Sequence, residues 1–544
     1  MPSRAVAFAV ALGIVVTLVG PVVATGGITE TQPDGPHIET VYPNPLADED
    51  RGEYVLLDFP QPTNLTGWAL SDGETTISLP NTTIGGRVAI TAEPNLTANH
   101  TPASVLALNE SLSLANGGDE VTLLDGEHVV SETAYVDAPD AELWNRTTRG
   151  WTWEHLGATH FAPVRVDALT ARAFVLPDAP EVPIEVLDSA DQRILLAGYT
   201  FSSVPVAEAL KRAKERGVKV RVLVDDAPVG GMSARQARVL DGLVAAGIPV
   251  SVIGGDWARY DYHHAKYAVV DDRALVMTEN WKPSGTGGHS NRGWGVVVRG
   301  ETADVLTKIF HADTGWRDTV SWRVYRANRT FEPDEVATET YPTNFEPQRI
   351  SVESVQVLAA PDNAEAVLLR RLNRANESID VIQAAIGSRK QPFLQASIRA
   401  AKRGVKVRIL LSNAWYSEEE NGALADWLNR KAEAENLPLE AKVVEPESTF
   451  GDIHAKGVII DGESVILGSM NWNNNSARDN REVAVVLESR AAGKYYGRVF
   501  DADWKEGDGG PEIGIESPIP VGMMAAVAGV VVLAVVVARR IEFE

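Results

Sequence analysis

His264-Ala265-Lys266-Tyr267-Ala268-Val269-Val270-Asp271 and His454-Ala455-Lys456-Gly457-Val458-Ile459-Ile460-Asp461 say the same thing twice, and their reading decides the fold. On an extended strand, side chains two apart share a face, so each His shares a site with its Lys, whereas an Asp five residues further on has the opposite parity. The second copy continues Asp461-Gly462-Glu463-Ser464-Val465-Ile466-Leu467-Gly468-Ser469-Met470-Asn471, a turn signal between two apolar runs that predicts a hairpin. With the bend centred between Gly462 and Glu463, His454 faces Asn471 and Lys456 faces Ser469. One imidazole, one ammonium, one hydroxyl and one amide then gather at the open end. Such groups suit a phosphate: the Lys and Asn hold non-bridging oxygens, and a neutral His attacks phosphorus or passes a proton.

A single His-x-Lys-x4-Asp match fixes only three positions and carries little weight. Two copies at matching points of an internal repeat carry much more. Arg216-Gly217-Val218-Lys219-Val220-Arg221 recurs as Arg403-Gly404-Val405-Lys406-Val407-Arg408, 187 residues on, and His454 lies 190 residues after His264. Both halves also close on similar words, Ile309-Phe310-His311-Ala312-Asp313 and Val499-Phe500-Asp501-Ala502-Asp503. One unit has been duplicated.

On these residues the chain resembles the phospholipase D superfamily, whose pattern is His-x-Lys-x4-Asp followed by Gly-Ser-x-Asn. The likeness spans roughly residues 164–510. It implies an α/β fold in which two catalytic halves bring both motifs into one site. It also implies a phosphohistidine intermediate, formed by one His while the other protonates the leaving oxygen, with no metal and no cofactor. The catalytic set carried over is His264, His454, Lys266, Lys456, Asp271, Asp461 and Glu482, with Asn280, Asn471, Ser469 and Thr278 as phosphate-binding partners. A monomer suffices for such a site. The first half departs from the pattern. Where the second reads Gly468-Ser469-Met470-Asn471, the first reads Met277-Thr278-Glu279-Asn280 and is one residue shorter between its Asp and its Asn. Where the second has Asn480-Arg481-Glu482, the first has Asn291-Arg292-Gly293. Glu482 is expected to orient His454. His264, facing Gly293, is left to borrow Glu279 or a carboxylate from elsewhere.

Before the repeat, residues 36–160 carry short strand-like runs (Glu53–Phe59, Thr66–Ser71, Gly86–Thr91 and Val121–Val130, the last with an Asp-Gly turn), which predict an all-β, immunoglobulin-like sandwich. The order Glu53-Tyr54-Val55, Thr66-Gly67-Trp68, Asn116-Gly117-Gly118-Asp119 resembles the lamin-tail domain. Glycosylation sequons crowd this region, at Asn64, Asn81, Asn95, Asn99, Asn109 and Asn145. Another, at Asn474, lies three residues past Asn471 and is expected to stay unmodified.

The boundaries expected are 36–160 for the sandwich, 164–326 for the first half, 327–350 for a linker, 351–506 for the second half and 507–518 for a stalk. Residues 1–26, with Arg4, an apolar run and a small-residue end, read as a signal peptide. Residues 519–538 are uncharged and long enough to span a bilayer at ~1.5 Å per residue, and Arg539-Arg540 open a cytoplasmic tail at 539–544. The enzyme is therefore expected at the cell membrane, single-pass, with its catalytic region on the extracellular side.

The 544 residues contain no Cys, which excludes disulfides and thiolate metal sites, and carry a formal net charge of −24 with no Lys before Lys211. That acidity is of the kind seen in salt-adapted proteins and disfavours duplex DNA, whose binding needs a basic patch. Phospholipid is the leading substrate, hydrolysed or transferred. Nucleic acid is the enzymatic alternative, and a binding or envelope protein with a decayed first half is the non-catalytic one. The aromatics Trp257, Tyr260, Tyr262, Trp415 and Tyr416 are candidates to flank the mouth, to touch headgroups or stack on bases.

Overall fold

A computed structural model describes residues 35–506, apart from 111–112, 256, 328, 332, 334–335 and 447. The expected signal peptide, stalk, membrane-spanning segment and cytoplasmic tail all lie outside those residues. Among the described residues no helix is long and apolar enough to cross a membrane.

Contacts divide the chain into two units, 1–154 and 155–544. The first holds a six-stranded and a four-stranded sheet. Alternation along Tyr54–Asn64 and along Gly118–Asp125 sends Val55, Leu57, Val121 and Leu123 to one shared core with Ile38, Leu70 and Ile90, so the two sheets form a sandwich. The expected boundary at 160 moves back to 154. The residues that follow pack on the second unit, where the Thr159 N–H and hydroxyl both donate to Asp362 and the Tyr260 hydroxyl donates to the Gly157 carbonyl.

The second unit is built on one mixed fifteen-stranded sheet. Its order mirrors about the antiparallel pair Arg165–Leu176 and Gln348–Ala360, the first strand of each half. Outward from the centre the first half runs Gly293–Arg299, Arg273–Met277, Tyr267–Val270, Arg193–Gly198, Lys219–Asp225 and Val250–Ile253. The second half runs Glu482–Glu488, Ser464–Gly468, Gly457–Ile460, Ser378–Gln383, Lys406–Ser412 and Leu439–Val444. In each half the three outermost of these strands pair in parallel, and apolar runs such as Val222–Val224 are buried on both faces. The repeated words therefore fall on equivalent elements: helices Val204–Glu215 and Pro392–Lys402 stop before Gly217 and Gly404, whose φ of +93° and +96° suit residues without a Cβ. The linker is shorter than expected, because the strand from Gln348 is already paired with the centre of the sheet; the described residues among 327–347 carry no helix or strand.

Candidate active site

Each His-Lys motif enters a hairpin, but not in the register expected. In the second half Ile460 pairs Ser464 and Gly457 pairs Leu467 across a three-residue turn, Asp461-Gly462-Glu463, with Gly462 at φ +65°. The bend therefore centres on Gly462 itself, and Lys456 and His454 do not face Ser469 and Asn471 directly. In the first half Val270 pairs Arg273 across the two-residue turn Asp271-Asp272. The missing residue of the first half is thus lost from the turn, at the far end of the hairpin from the histidines.

That turn also holds Asp271 and Asp461, which corrects their place in the catalytic set. Each lies five residues beyond its Lys, about 16 Å along a strand, and caps a neighbouring segment. Asp271 accepts the N–H groups of Asp191, Gln192 and Arg193, and Asp461 those of Asn376, Glu377 and Ser378. Their contacts are structural.

The histidines find their carboxylates across the pseudo-two-fold axis. His264 Nδ1 lies 3.0 Å from Glu482, and His454 Nδ1 lies 3.1 Å from Glu279. The expected pairing of Glu482 with His454 is corrected: each half supplies the carboxylate for the other half's imidazole. Asn480 and Asn291 each donate an amide N–H to those carboxylates, at 3.1 and 2.9 Å. The same exchange runs through the backbone, since the His264 N–H donates to the Arg481 carbonyl and the His454 N–H to the Arg292 carbonyl. Arg481 reaches Asp313 at 2.9 Å and Arg292 reaches Asp503 at 3.0 Å, so the similar words that close the two halves anchor the opposite half. These buried pairs fix the register of the strands that bear the glutamates. Sequence reading missed them, although Asn291-Arg292 and Asn480-Arg481 stood at matching repeat positions.

Gly293 is no loss. A Cβ built on it would lie 2.2 Å from Glu279 Cγ, so the Glu279 side chain fills the space a longer residue at 293 would need. In the second half the corresponding positions are Met470 and Glu482. The carboxylate has moved from the start of one strand to just past the end of its neighbour and kept its target. A parallel exchange accounts for the other departure. Gly468 packs so closely on Ala484 that a Cβ would lie 2.4 Å from the Ala484 Cα, while in the first half Met277 pairs with Gly295. Both departures are compensated, which removes the structural motive for a decayed first half.

Burial sets the charges. Lys266 and Lys456 are almost fully buried, and each donates to the carbonyl of its own His, at 2.6 and 2.7 Å. Burial holds the Lys266 ammonium well below its usual range and pulls Lys456 down to about 8. Burial, aided by the adjacent lysines, lowers His264 to about 4 and His454 to about 3. Burial opposes ionisation of Glu279 and Glu482, but the facing imidazoles, their hydrogen bonds and the lysines outweigh it and keep both carboxyls below the usual value. At neutral pH each imidazole is then neutral, donates Nδ1–H to a carboxylate, and keeps a lone pair on Nε2.

Of the expected phosphate ligands, Asn280 and Asn471 remain available: Asn280 Oδ1 is buried with no partner, and Asn471 makes no side-chain hydrogen bond among the described residues. Ser469 and Thr278 are corrected. Ser469 bridges both the N–H and the carbonyl of Val483, and the Thr278 hydroxyl accepts the Trp294 N–H, so both hydroxyls stitch neighbouring strands together. Among the aromatics Tyr260 is core, buried against His155 and Arg481. Trp415 and Tyr416 stand out from the surface at 79% and 55% exposure.

Residues 184–314 and 368–504 each match the family described as cardiolipin synthase, PLD-like domain. Mitochondrial cardiolipin hydrolase of Xenopus tropicalis is 28% identical over 148 residues, 27% of this chain and 64% of its own length. Cardiolipin synthase A of Buchnera aphidicola subsp. Baizongia pistaciae is 22% identical over 311 residues, 53% of this chain and 59% of its own. The chain thus spans about three-fifths of the length of these curated relatives. The solved phosphatidylserine synthase of Haemophilus influenzae Rd KW20 shares 13% identity over 62% of this chain and 87% of its own, at TM-score 0.46.

Proposed function

Because the chain carries the phospholipase D-like domain twice, we propose that it is a phosphodiesterase that hydrolyses or transfers phosphatidyl groups through a phosphohistidine. The observation that carries this reading is the pair of crossed imidazole–carboxylate contacts, which ready two neutral histidines beside two lysines in one buried site. One Nε2 attacks phosphorus and its Nδ1–H stays on the carboxylate, which stabilises the imidazolium that forms. The P–O bond to the leaving alcohol breaks, and the second His, arriving protonated with the anionic substrate, donates its proton to that oxygen. The second His then deprotonates water or an acceptor alcohol, which attacks phosphorus and frees the first. Lys266, Lys456, Asn280 and Asn471 hold the non-bridging oxygens as charge builds.

Phospholipid is favoured over nucleic acid by the net charge of −24 and by the lipid-named relatives. The enzyme is further proposed to sit at the cell membrane facing outward, held by residues 519–538 and carrying its lamin-tail-like sandwich as a spacer or binding module. The exposed pair Trp415 and Tyr416 suits a headgroup interface. The test offers the full chain, in detergent micelles at low and high salt, labelled phospholipid and labelled single-stranded and duplex DNA. Release or transfer of the lipid headgroup is the expected result. Turnover of DNA alone would replace this reading with a nuclease.

A further inference from the structure

The chemistry of the histidines leaves the six glycosylation sequons of the sandwich unused. Glycosylation joins a saccharide to the side-chain nitrogen of Asn, Nδ2, and the transferring enzyme also reads the Ser or Thr two residues on. A folded sequon is therefore a substrate only where that nitrogen is unpaired and that hydroxyl residue is exposed.

The fold closes three of the six. Asn145 spends both ends of its amide inside the sheet: Nδ2 donates to Glu154 at 2.9 Å, and Oδ1 accepts the hydroxyl of Thr40, its partner on the strand His37–Tyr42, at 2.7 Å. Asn99 Nδ2 donates to the Asn95 carbonyl at 2.7 Å within the helix Pro94–His100. The Thr97 that would serve Asn95 is wholly buried, with its hydroxyl on Thr91. Ser111 of the Asn109 sequon lies outside the described residues. Asn64 and Asn81 are open. Asn64 ends the strand Tyr54–Asn64 and pairs with Thr83, the hydroxyl residue of the Asn81 sequon, so the two sequons lie side by side. Asn64 Oδ1 accepts the Thr66 N–H at 2.9 Å, and Asn81 Oδ1 accepts the Thr66 hydroxyl at 2.6 Å. Each carboxamide is thus held by its oxygen, while neither Nδ2 has a partner among the described residues. Asn64, Thr66, Asn81 and Thr83 are all exposed.

We infer that Asn64 and Asn81 are both N-glycosylated, and that Asn95, Asn99 and Asn145 stay bare. The modification rests on the outward-facing placement proposed above, since sequons are acceptors in exported chains. The donor is a polyprenyl-linked saccharide. Nδ2 gives up a proton to a base of the transferring enzyme and bonds to C1 of the sugar, while the C1–O bond to the polyprenyl phosphate breaks and leaves its electron pair on that oxygen. Two glycans on adjacent strands clothe this end of the sandwich in hydrated sugar, which suits a spacer better than a docking face.

Intact cells that make the protein are treated with an amine reagent that cannot cross a membrane. The full chain is then isolated and digested with chymotrypsin, which cuts between the two sites at Trp68, and its peptides are mapped by mass. Saccharide on the Asn64 and Asn81 peptides, none on those of Asn95, Asn99 and Asn145, and reagent on the exposed Lys219 are expected. Thr66→Ala should strip the saccharide from Asn64 and Thr66→Ser should retain it, each with hydrolysis of a soluble diester unchanged, because the reacting groups lie outside the sandwich. Bare Asn64 and Asn81 on a chain whose Lys219 carries reagent would overturn the glycosylation and leave the outward placement standing. Bare sites without reagent would overturn both. Saccharide on Asn99 and Asn145 at the level of Asn64 and Asn81 would overturn it too, since transfer would then take no account of the fold.

Discussion

Exchanging residues 279 and 293 tests whether the carboxylate of the first half has moved rather than vanished. Glu279→Met copies Met470 and deletes a charge-assisted hydrogen bond, 3.1 Å long, to His454. Such a bond is worth about 1.5–3 kcal/mol, hence a loss of roughly 10- to 150-fold in kcat/KM, and more where proton transfer limits the rate. Gly293→Glu alone is worse for the fold, because its Cβ would lie 2.2 Å from Glu279 Cγ and two carboxylates would share one dry pocket. The double variant Glu279→Met/Gly293→Glu recreates the Met470/Glu482 arrangement, and activity should return to within about tenfold of the parent. The assay is kcat/KM on a soluble chromogenic diester, with thermal unfolding to separate misfolding from lost chemistry. A well-folded double variant no better than Glu279→Met would refute the exchange. So would Glu279→Gln leaving activity intact while Glu482→Gln abolishes it, since the crossed contacts predict comparable losses.

The remaining predictions rest on other parts of the molecule. Lys456, pulled down to about 8 by burial, loses its charge above that pH, so kcat/KM should fall on the alkaline side of about pH 8. Because His264 and His454 are lowered in the fold, the unfolded chain takes up protons near pH 6.5 that the folded chain refuses until about pH 4 and 3. Stability should therefore decline as pH drops from about 6.5 towards 4, checked by denaturant unfolding across that window. Asp461→Ala frees the N–H groups of Asn376, Glu377 and Ser378 and should cost about 1–2 kcal/mol of stability with kcat nearly unchanged; a collapse of kcat in folded protein would return Asp461 to the catalytic set. Trp415→Ala should slow turnover of vesicle phospholipid but not of a soluble diester, and equal effects on both would remove it from the lipid interface.

The duplication, the paired strands and the shared place of each His with its Lys were legible because each is local or is stated twice. The partnership of the carboxylates was not. His264 and Glu482 stand 218 residues apart and His454 and Glu279 175, and their meeting depends on how two halves pack about an axis that no single motif encodes. Gly293 looked like a deficit for the same reason, since the residue that compensates it, Glu279, lies just past the end of the adjacent strand. The hairpin register failed by one because Gly462 adopts φ +65° inside a three-residue turn, where the sequence alone allowed an even bend. Asp271 and Asp461 recur with the motif yet serve the turn, so recurrence marked the unit without marking the chemistry.

The central claim is that one of two crossed histidines carries the phosphoryl group. Rapid quenching of a slow, phosphorus-labelled diester, followed by peptide mapping, tests it directly. The account predicts an acid-labile, base-stable label on the peptide containing His264 or on that containing His454, and its disappearance when that His is changed to Ala. Steady turnover with no labelled peptide, or a label on any other residue, would contradict it.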